Sequence, residues 1–186
     1  MRALLAHPEI DADTADDIEG MTPLMHTARL GNEAMAHLFL SLGPGRVDIN
    51  RRDAKGRTLL LWAARTRCWD SFLCLLDKHH ADPTIADQFG QTVLAFAAEA
   101  GETAVVESLI AVEGVDVDSK DIGGLTPYFL ACCLRNTEIE ELLKTRLGPQ
   151  APRVVVDLSL YKRRTIRILN EIRDLNFDPP GGVLTV

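Results

Sequence analysis

The fold of this chain is indicated by the stretch Asp87-Gln-Phe-Gly90-Gln-Thr92-Val-Leu94. The same frame, Asp-x-x-Gly-x-Thr, occurs three more times, in stretches that begin at Asp17, Asp53 and Asp121. Successive aspartates are 36, 34 and 34 residues apart, and a period of this length is typical of a solenoid that stacks one supersecondary unit. We therefore expect a stack of repeats, an architecture that generally offers a binding surface rather than a catalytic pocket.

Each frame predicts a turn followed by the start of a helix. The glycine suits a turn position of positive φ, and the threonine suits a helix N-cap because its hydroxyl accepts a backbone N–H. Two short helices are predicted in each unit, the first with small residues at its centre and the second with a buried apolar stripe. In repeat three these features are Ala97-Ala98 and the set Val105, Val106, Leu109 and Ile110.

The turn between the two helices differs among the repeats. Gly31 and Gly101 occupy it in repeats one and three, whereas Arg67 and Arg135 occupy it in repeats two and four. A left-handed residue that carries a side chain costs about 1 kcal/mol. We therefore expect repeats two and four to bend differently at this turn.

The sequence resembles the ankyrin-repeat family. The resemblance rests on Thr22-Pro23-Leu24, the paired small residues of each first helix, and the segments Val47-Asp48-Ile49-Asn50 and Ala81-Asp82-Pro83. The histidine of the family motif Thr-Pro-Leu-His is absent, and its place is taken by Met25, Leu61, Ala95 and Phe129. The resemblance implies an all-α, ankyrin-type repeat solenoid of helix-turn-helix units with β-hairpin fingers.

The resemblance covers residues 1–147 and divides the chain into units. We expect a partial leading repeat over residues 1–16, followed by four repeats over residues 17–52, 53–86, 87–120 and 121–147. A divergent capping repeat or helix is expected over residues 148–178, and a loose tail over residues 179–186. Residues 163–175 form an amphipathic pattern that either packs on repeat four or acts as a detached basic helix for a membrane or partner. Because the leading repeat is partial, we expect a fragment of a longer protein.

Composition limits the function classes. The net charge of −7 argues against nucleic acid as the main partner, since phosphate neutralisation needs basic residues. We find no apolar stretch long enough to span a membrane. The four cysteines show no disulfide framework, so we expect an intracellular protein, located in the cytoplasm or alternatively in the nucleus.

Residues with metal-binding or catalytic chemistry do not form a recognisable motif. The acidic stretch that starts at Asp11 lacks the central glycine and final glutamate of a calcium loop, and His79-His80 lies in a polar helix-end turn. We find no phosphate-binding loop and no nucleophile elbow. We therefore predict no catalytic residues, no metal and no cofactor, and hence not an enzyme.

The resemblance implies a protein partner bound on the concave face, which the finger tips and first helices form. Positions that vary freely in the family are expected to be exposed there, and they predict a site of Met21, Arg29, Lys55, Arg57, Arg65, Phe89, Gln91, Glu99 and Leu125. The basic second finger lies beside an acidic first finger, so the two either neutralise each other or form a bipolar recognition strip.

The sequence favours a non-catalytic protein–protein interaction module. The alternative is a regulatory or targeting fragment of a larger multidomain enzyme or signalling protein. Neither the identity of the partner nor the oligomeric state follows from the sequence.

Overall fold

The computed structural model describes residues 11–41 and 46–150 of the chain. Eight α-helices and one 3₁₀ helix lie in these residues, and the α-helices alternate as first and second helices of successive repeats. They are α1 (Pro23–Arg29), α2 (Glu33–Leu40), α3 (Leu59–Arg65), α4 (Trp69–His79), α5 (Val93–Ala100), α6 (Thr103–Ile110), α7 (Pro127–Leu134) and α8 (Thr137–Leu147). The 3₁₀ helix spans Gly148–Gln150.

The all-α solenoid is confirmed. The first ten residues of the predicted leading repeat, the amphipathic stretch 163–175 and the predicted tail lie outside the described residues.

Every first helix begins at its predicted threonine N-cap. The hydroxyl of each threonine accepts the backbone N–H three residues later, which satisfies one of the free donors of the first turn. The pairs are Met25 N to Thr22, Leu61 N to Thr58, Ala95 N to Thr92 and Phe129 N to Thr126. The repeated frame therefore determines where the first helix of each unit starts.

The turn between the helices has the same backbone conformation in repeats with arginine as in repeats with glycine. Arg67 and Arg135 adopt φ of 58° and 59°, close to the 64° of Gly31. The expectation that the arginine repeats bend differently is wrong. The residues next to these arginines make hydrogen bonds to the preceding repeat. Thr66 Oγ1 donates to Ala28 O at 3.3 Å, and Asn136 Nδ2 donates to Ala98 O at 2.9 Å.

One hydrophobic core runs through all the repeats. Small residues of the first helices are buried at its centre, so the helices of adjacent repeats approach closely. The second helices contribute the apolar stripes, and the buried residues include Phe72, Leu75, Val105, Val106, Leu109, Ile139 and Leu143.

The fingers are tight turns in which the turn glycine donates its N–H to the carbonyl of the aspartate, and a second set of backbone hydrogen bonds closes the base of each finger. In fingers two, three and four the bonds are Asp53 N to Arg57 O, Asp87 N to Gln91 O and Asp121 N to Leu125 O, at 2.9 to 3.1 Å. The fingers also bond to each other. Ala54 N donates to Glu19 O, Gln88 N to Lys55 O and Ile122 N to Phe89 O, at 2.8 to 2.9 Å. We call this row of inter-finger bonds the finger ladder.

Finger one is longer than the repeated frame predicts. Asp16, not Asp17, closes it, with its N–H on Met21 O at 2.9 Å. Asp16 Oδ1 accepts the N–H groups of Ile18, Glu19 and Gly20. Asp17 is exposed. The assignment of Asp17 to the first frame is therefore wrong by one residue.

Candidate partner-binding face

We call the finger tips, together with the accessible side chains of the four first helices, the finger face. The ladder holds each finger against the next through backbone bonds, so the side chains of the finger tips have fixed relative positions. Capping aspartates stiffen each turn: Asp87 Oδ1 accepts Phe89 N and Gln91 N, and Asp121 Oδ1 accepts Gly123 N and Leu125 N.

Four of the nine predicted site residues are buried, so the expectation that they are exposed is wrong. They are the residues that follow the turn glycines: Met21 (0% exposed), Arg57 (1%), Gln91 (4%) and Leu125 (2%). At this position the chain turns back from the tip toward the first helix. The side chain therefore packs in the corner between finger and helix.

The residue four positions after each N-cap threonine fills the same corner. In repeats two to four these residues are Trp62, Phe96 and Leu130, all buried. Met21 packs with Met25 and Trp62, and Leu125 packs with Ala95 and Leu130. Our sequence interpretation missed this row. Comparing the residue four positions after each N-cap threonine across the repeats would have found it.

Arg57 is a buried cation of finger two. Its Nε donates to Asp53 Oδ2 at 2.8 Å, and its guanidinium carbon lies 4.2 Å from the centroid of the Trp62 ring. Asp53 Oδ2 also accepts Trp62 Nε1 at 3.1 Å, while Asp53 Oδ1 accepts the N–H groups of Lys55 and Arg57. Arg57 therefore holds finger two on α3 and is not available at the surface.

Arg65 is half-buried between two aromatic rings. Its guanidinium carbon lies 5.9 Å from the Trp62 centroid and 5.7 Å from the Phe96 centroid, within the range of cation–π attraction. Its Nη1 lies 3.4 Å from Gln91 Oε1. Arg65 thus connects repeats two and three, and it reaches solvent only in part.

Arg29 belongs to a network that joins finger one to α1. Its Nη1 donates to Glu19 Oε2 at 3.1 Å, and its Nη2 donates to His26 Nδ1 at 3.1 Å. Since arginine only donates, His26 Nδ1 accepts and His26 Nε2 donates to Asp16 Oδ2 at 2.7 Å. Hydrogen bonds to its carboxylate lower the pKa of Asp16 to about 2. The largest effect comes from the backbone N–H of Glu19, and the next from the side chain of His26.

Most of the acidic residues of finger one are paired within the protein. Asp16 bonds His26, Glu19 bonds Arg29, and Asp13 Oδ2 accepts Arg51 Nη1 at 3.1 Å. Arg29 and Arg51 thus neutralise Glu19 and Asp13, whereas Asp16 is held by a hydrogen bond from His26.

Among the described residues, Arg52 and Lys55 of finger two form no ion pair with a carboxylate. Arg52 donates to two neutral acceptors, Gly56 O at 3.2 Å and Ala86 O at 2.8 Å. Within residues 11–41 and 46–150, the ammonium of Lys55 makes no hydrogen bond and no ion pair. Both side chains reach solvent.

Each of the other finger tips carries a large apolar residue. Ile18 of finger one is 90% exposed and Ile122 of finger four is 61% exposed, whereas Phe89 of finger three is half-buried. Glu99, the remaining predicted site residue, is half-buried on α5. The structure therefore leaves Arg29, Lys55, Arg65, Phe89 and Glu99 at least partly accessible.

The described part of the chain has no group of three or more histidine, cysteine or acidic side chains placed so that they could hold a metal ion. In that same part, the helices are too short or too polar to cross a membrane.

The family described as "Ankyrin repeats (3 copies)" matches residues 1–87 and 70–151. The chain belongs to the ankyrin-repeat family. It is 33% identical over 160 residues to neurogenic locus notch homolog protein 1 of Xenopus tropicalis, and 30% identical over 164 residues to the human protein of that name. These alignments cover 77% and 80% of this chain but 6% of each relative.

A third relative is human ankyrin repeat domain-containing protein 63, with 35% identity over 118 residues. This alignment covers 61% of the chain and 30% of the relative. Ankyrin repeats are generally non-catalytic protein-interaction modules, and the names of these relatives do not describe enzymes.

Proposed function

We propose that this ankyrin stack is a non-catalytic module that binds a protein partner on its finger face. The observation that carries the proposal is the row of fixed finger tips, in which Ile18 and Ile122 are large apolar residues exposed to solvent. An exposed apolar side chain on a rigid turn gains free energy when a partner covers it, and little conformational entropy is lost on binding.

The contact set differs from the one that the sequence predicts. It retains Arg29, Lys55, Arg65, Phe89 and Glu99 and adds Ile18 and Ile122. Met21, Arg57, Gln91 and Leu125 are omitted because they are buried inside the finger face. Aromatic and arginine side chains dominate the energetics of most interfaces, so Phe89 and Arg65 are the expected anchors.

Quantitative affinity capture from the native host tests this proposal. The bait is the full chain, and the finger-face variant carries Lys55→Glu, Phe89→Ala and Ile122→Ser. Lys144→Glu is the matched control, because Lys144 is an exposed lysine on α8 whose only described ion pair is with Glu141. Circular dichroism checks that each variant keeps its helicity.

We expect the wild type and the control to capture the same partner in equal amount. The amount captured by the finger-face variant should be at least about tenfold lower. A partner set that the finger-face variant retains in full would exclude the finger face as the binding surface.

A second candidate is that the repeats serve as the regulatory or targeting region of a larger enzyme or signalling protein. It is supported by the Notch relatives, in which the matching region is 6% of the length. An antibody raised against the repeats would measure the mass of the native protein. A native mass equal to the 20.5 kDa of this chain would exclude this candidate.

An intracellular location is part of the proposal. The four cysteines are free thiols, which a reducing compartment maintains. Fractionation of native cells, followed by detection of the chain, tests this location, and recovery from the secreted fraction would contradict it.

A further inference from the structure

We infer that the finger face selects an extended partner segment whose acidic residues face finger two and whose apolar residues face fingers three and four. This inference rests on the proposed function and adds the chemistry and spacing of the partner. It concerns the tip row, which we define as Arg52, Lys55, Phe89 and Ile122.

The acidic preference follows from the charges that remain at finger two. Two carboxylates of fingers one and two are engaged within the protein: Asp53 by Arg57 and Trp62, and Glu19 by Arg29. The buried Asp53–Arg57 pair cancels its own charge. Arg52 and Lys55 therefore give finger two a local positive potential on a chain whose net charge is −7.

The position of Arg52 strengthens this potential. A Cβ placed on Gly56 would lie 2.9 Å from Arg52 Nη2, so the guanidinium lies against the turn of finger two. Its hydrogen bonds to carbonyl oxygens orient it without neutralising it. Arg52 and Lys55 thus both contribute positive charge to finger two, and charge of this kind sets on-rate and specificity.

The apolar preference follows from the next two fingers. Phe89 occupies in finger three the place that Lys55 occupies in finger two, and each carbonyl accepts the next bond of the finger ladder. Ile122 donates its N–H to Phe89 O at 2.9 Å, so these two residues are neighbours across fingers. Phe89 and the exposed Ile122 form the apolar end of the tip row.

The spacing of the partner residues follows from the geometry of the ladder. Lys55 and Phe89 hold equivalent places in neighbouring fingers, roughly 10 Å apart, which is about two strand spacings. Phe89 and Ile122 are joined by a backbone hydrogen bond and are therefore about one strand spacing, roughly 5 Å, apart. An extended segment advances about 3.3 Å per residue. Acidic residues are therefore expected at position i and apolar residues from about position i+3 to position i+5.

Selection from a random peptide display library tests the inference. The full chain, Lys55→Glu, Phe89→Ala and the control Lys144→Glu are panned separately, and enriched sequences are compared position by position. Single-stranded RNA of similar length serves as a second anionic probe in a binding assay.

On the wild type and the control we expect enrichment of an acidic residue followed by apolar residues at the stated spacing. Lys55→Glu should reduce the acidic enrichment at least about tenfold, and Phe89→Ala should reduce the apolar enrichment near i+3. Raising the salt concentration from about 100 mM to about 500 mM should weaken the selected acidic peptides.

The inference is overturned if no peptide is enriched, if enriched peptides lack the acidic bias, or if Lys55→Glu leaves that bias unchanged. Tighter binding of the RNA than of the selected peptides also overturns it. The proposed function has a separate readout, because a native partner lost from the finger-face variant would support it even when the peptide preference fails.

Discussion

The guanidinium of Arg57 lies 4.2 Å from the centroid of the Trp62 ring, and both side chains are buried in the corner between finger two and α3. Asp53 Oδ2 accepts a hydrogen bond from each of them. Three residues that lie within ten positions of each other thus hold finger two on α3. The backbone hydrogen bonds of the finger ladder connect finger two to the neighbouring fingers.

Replacing Arg57 with Met should destabilise the protein by roughly 3 kcal/mol. The substitution keeps much of the packing volume but leaves the Asp53 carboxylate buried without its cation, and breaking a buried ion pair from one side is costly. Urea denaturation followed by circular dichroism measures the change in the free energy of unfolding.

The double variant Asp53→Asn with Arg57→Met provides the control for this prediction. Because it removes both charges, it should be more stable than Arg57→Met alone, which makes the coupling between the two sites measurable. Equal stability of the single and double variants would show that the ion pair does not hold finger two.

The helices could be predicted from sequence because their signals are local. Each first helix starts at a threonine whose hydroxyl bonds a backbone N–H three residues away, so no information from other repeats is needed. The periodic apolar stripes of the second helices likewise depend on spacing within one helix.

The surface of the finger face could be predicted only in part. Whether Arg57 is exposed depends on Trp62 and Asp53, which lie five and four residues away and meet it only after the finger turns back. The register of finger one was equally inaccessible, because Asp16 and Asp17 are chemically identical and only the turn geometry selects Asp16. Exposure at these corners is a tertiary property.

Alanine at Gly90 should be more destabilising than alanine at Gly124. Both glycines have positive φ, 70° and 75°, so each substitution carries about 1 kcal/mol of backbone strain. A Cβ at Gly90 would also lie 2.8 Å from Lys120 O and 3.1 Å from Asp121 Cα, whereas one at Gly124 meets no atom of the described residues within 4 Å. The clash should add about 1–3 kcal/mol at Gly90.

Thermal or urea unfolding of the two variants, measured side by side, checks this difference. Gly124→Ala serves as the control for backbone strain alone. Equal losses of stability would mean that fingers three and four are not packed as closely as the finger ladder requires.

Asp16→Asn should reduce stability near neutral pH, and the difference from the wild type should shrink as the pH falls. The folded-state pKa of Asp16 is lowered from 3.8 to about 2. A depressed folded pKa contributes stability that is present above about pH 4 and is lost as the pH falls toward 2. Urea midpoints measured between pH 7 and pH 2 provide the readout.

Asp17→Asn is the matched control, since Asp17 is the adjacent, exposed aspartate of the same finger. We expect little change in its urea midpoint at any pH. If Asp17→Asn were the more damaging substitution, the register of finger one described above would be wrong.

Arg135→Gly should stabilise the protein by about 0.5–1 kcal/mol. Arg135 holds φ of 59° at the end of α7, a conformation that costs a residue with a Cβ about 1–2 kcal/mol and costs glycine almost nothing. Part of this gain is offset because glycine raises the conformational entropy of the unfolded chain. The side chain of Arg135 is exposed, so little packing is lost.

Arg135→Ala separates backbone strain from loss of the guanidinium, because alanine keeps the Cβ and therefore the strain. We expect no gain in the free energy of unfolding for alanine and a clear gain for glycine, both measured by urea denaturation. A gain of equal size for alanine would assign the effect to removal of the charged side chain. It would contradict the view that repeat four holds its turn against a backbone cost that repeats one and three avoid with glycine.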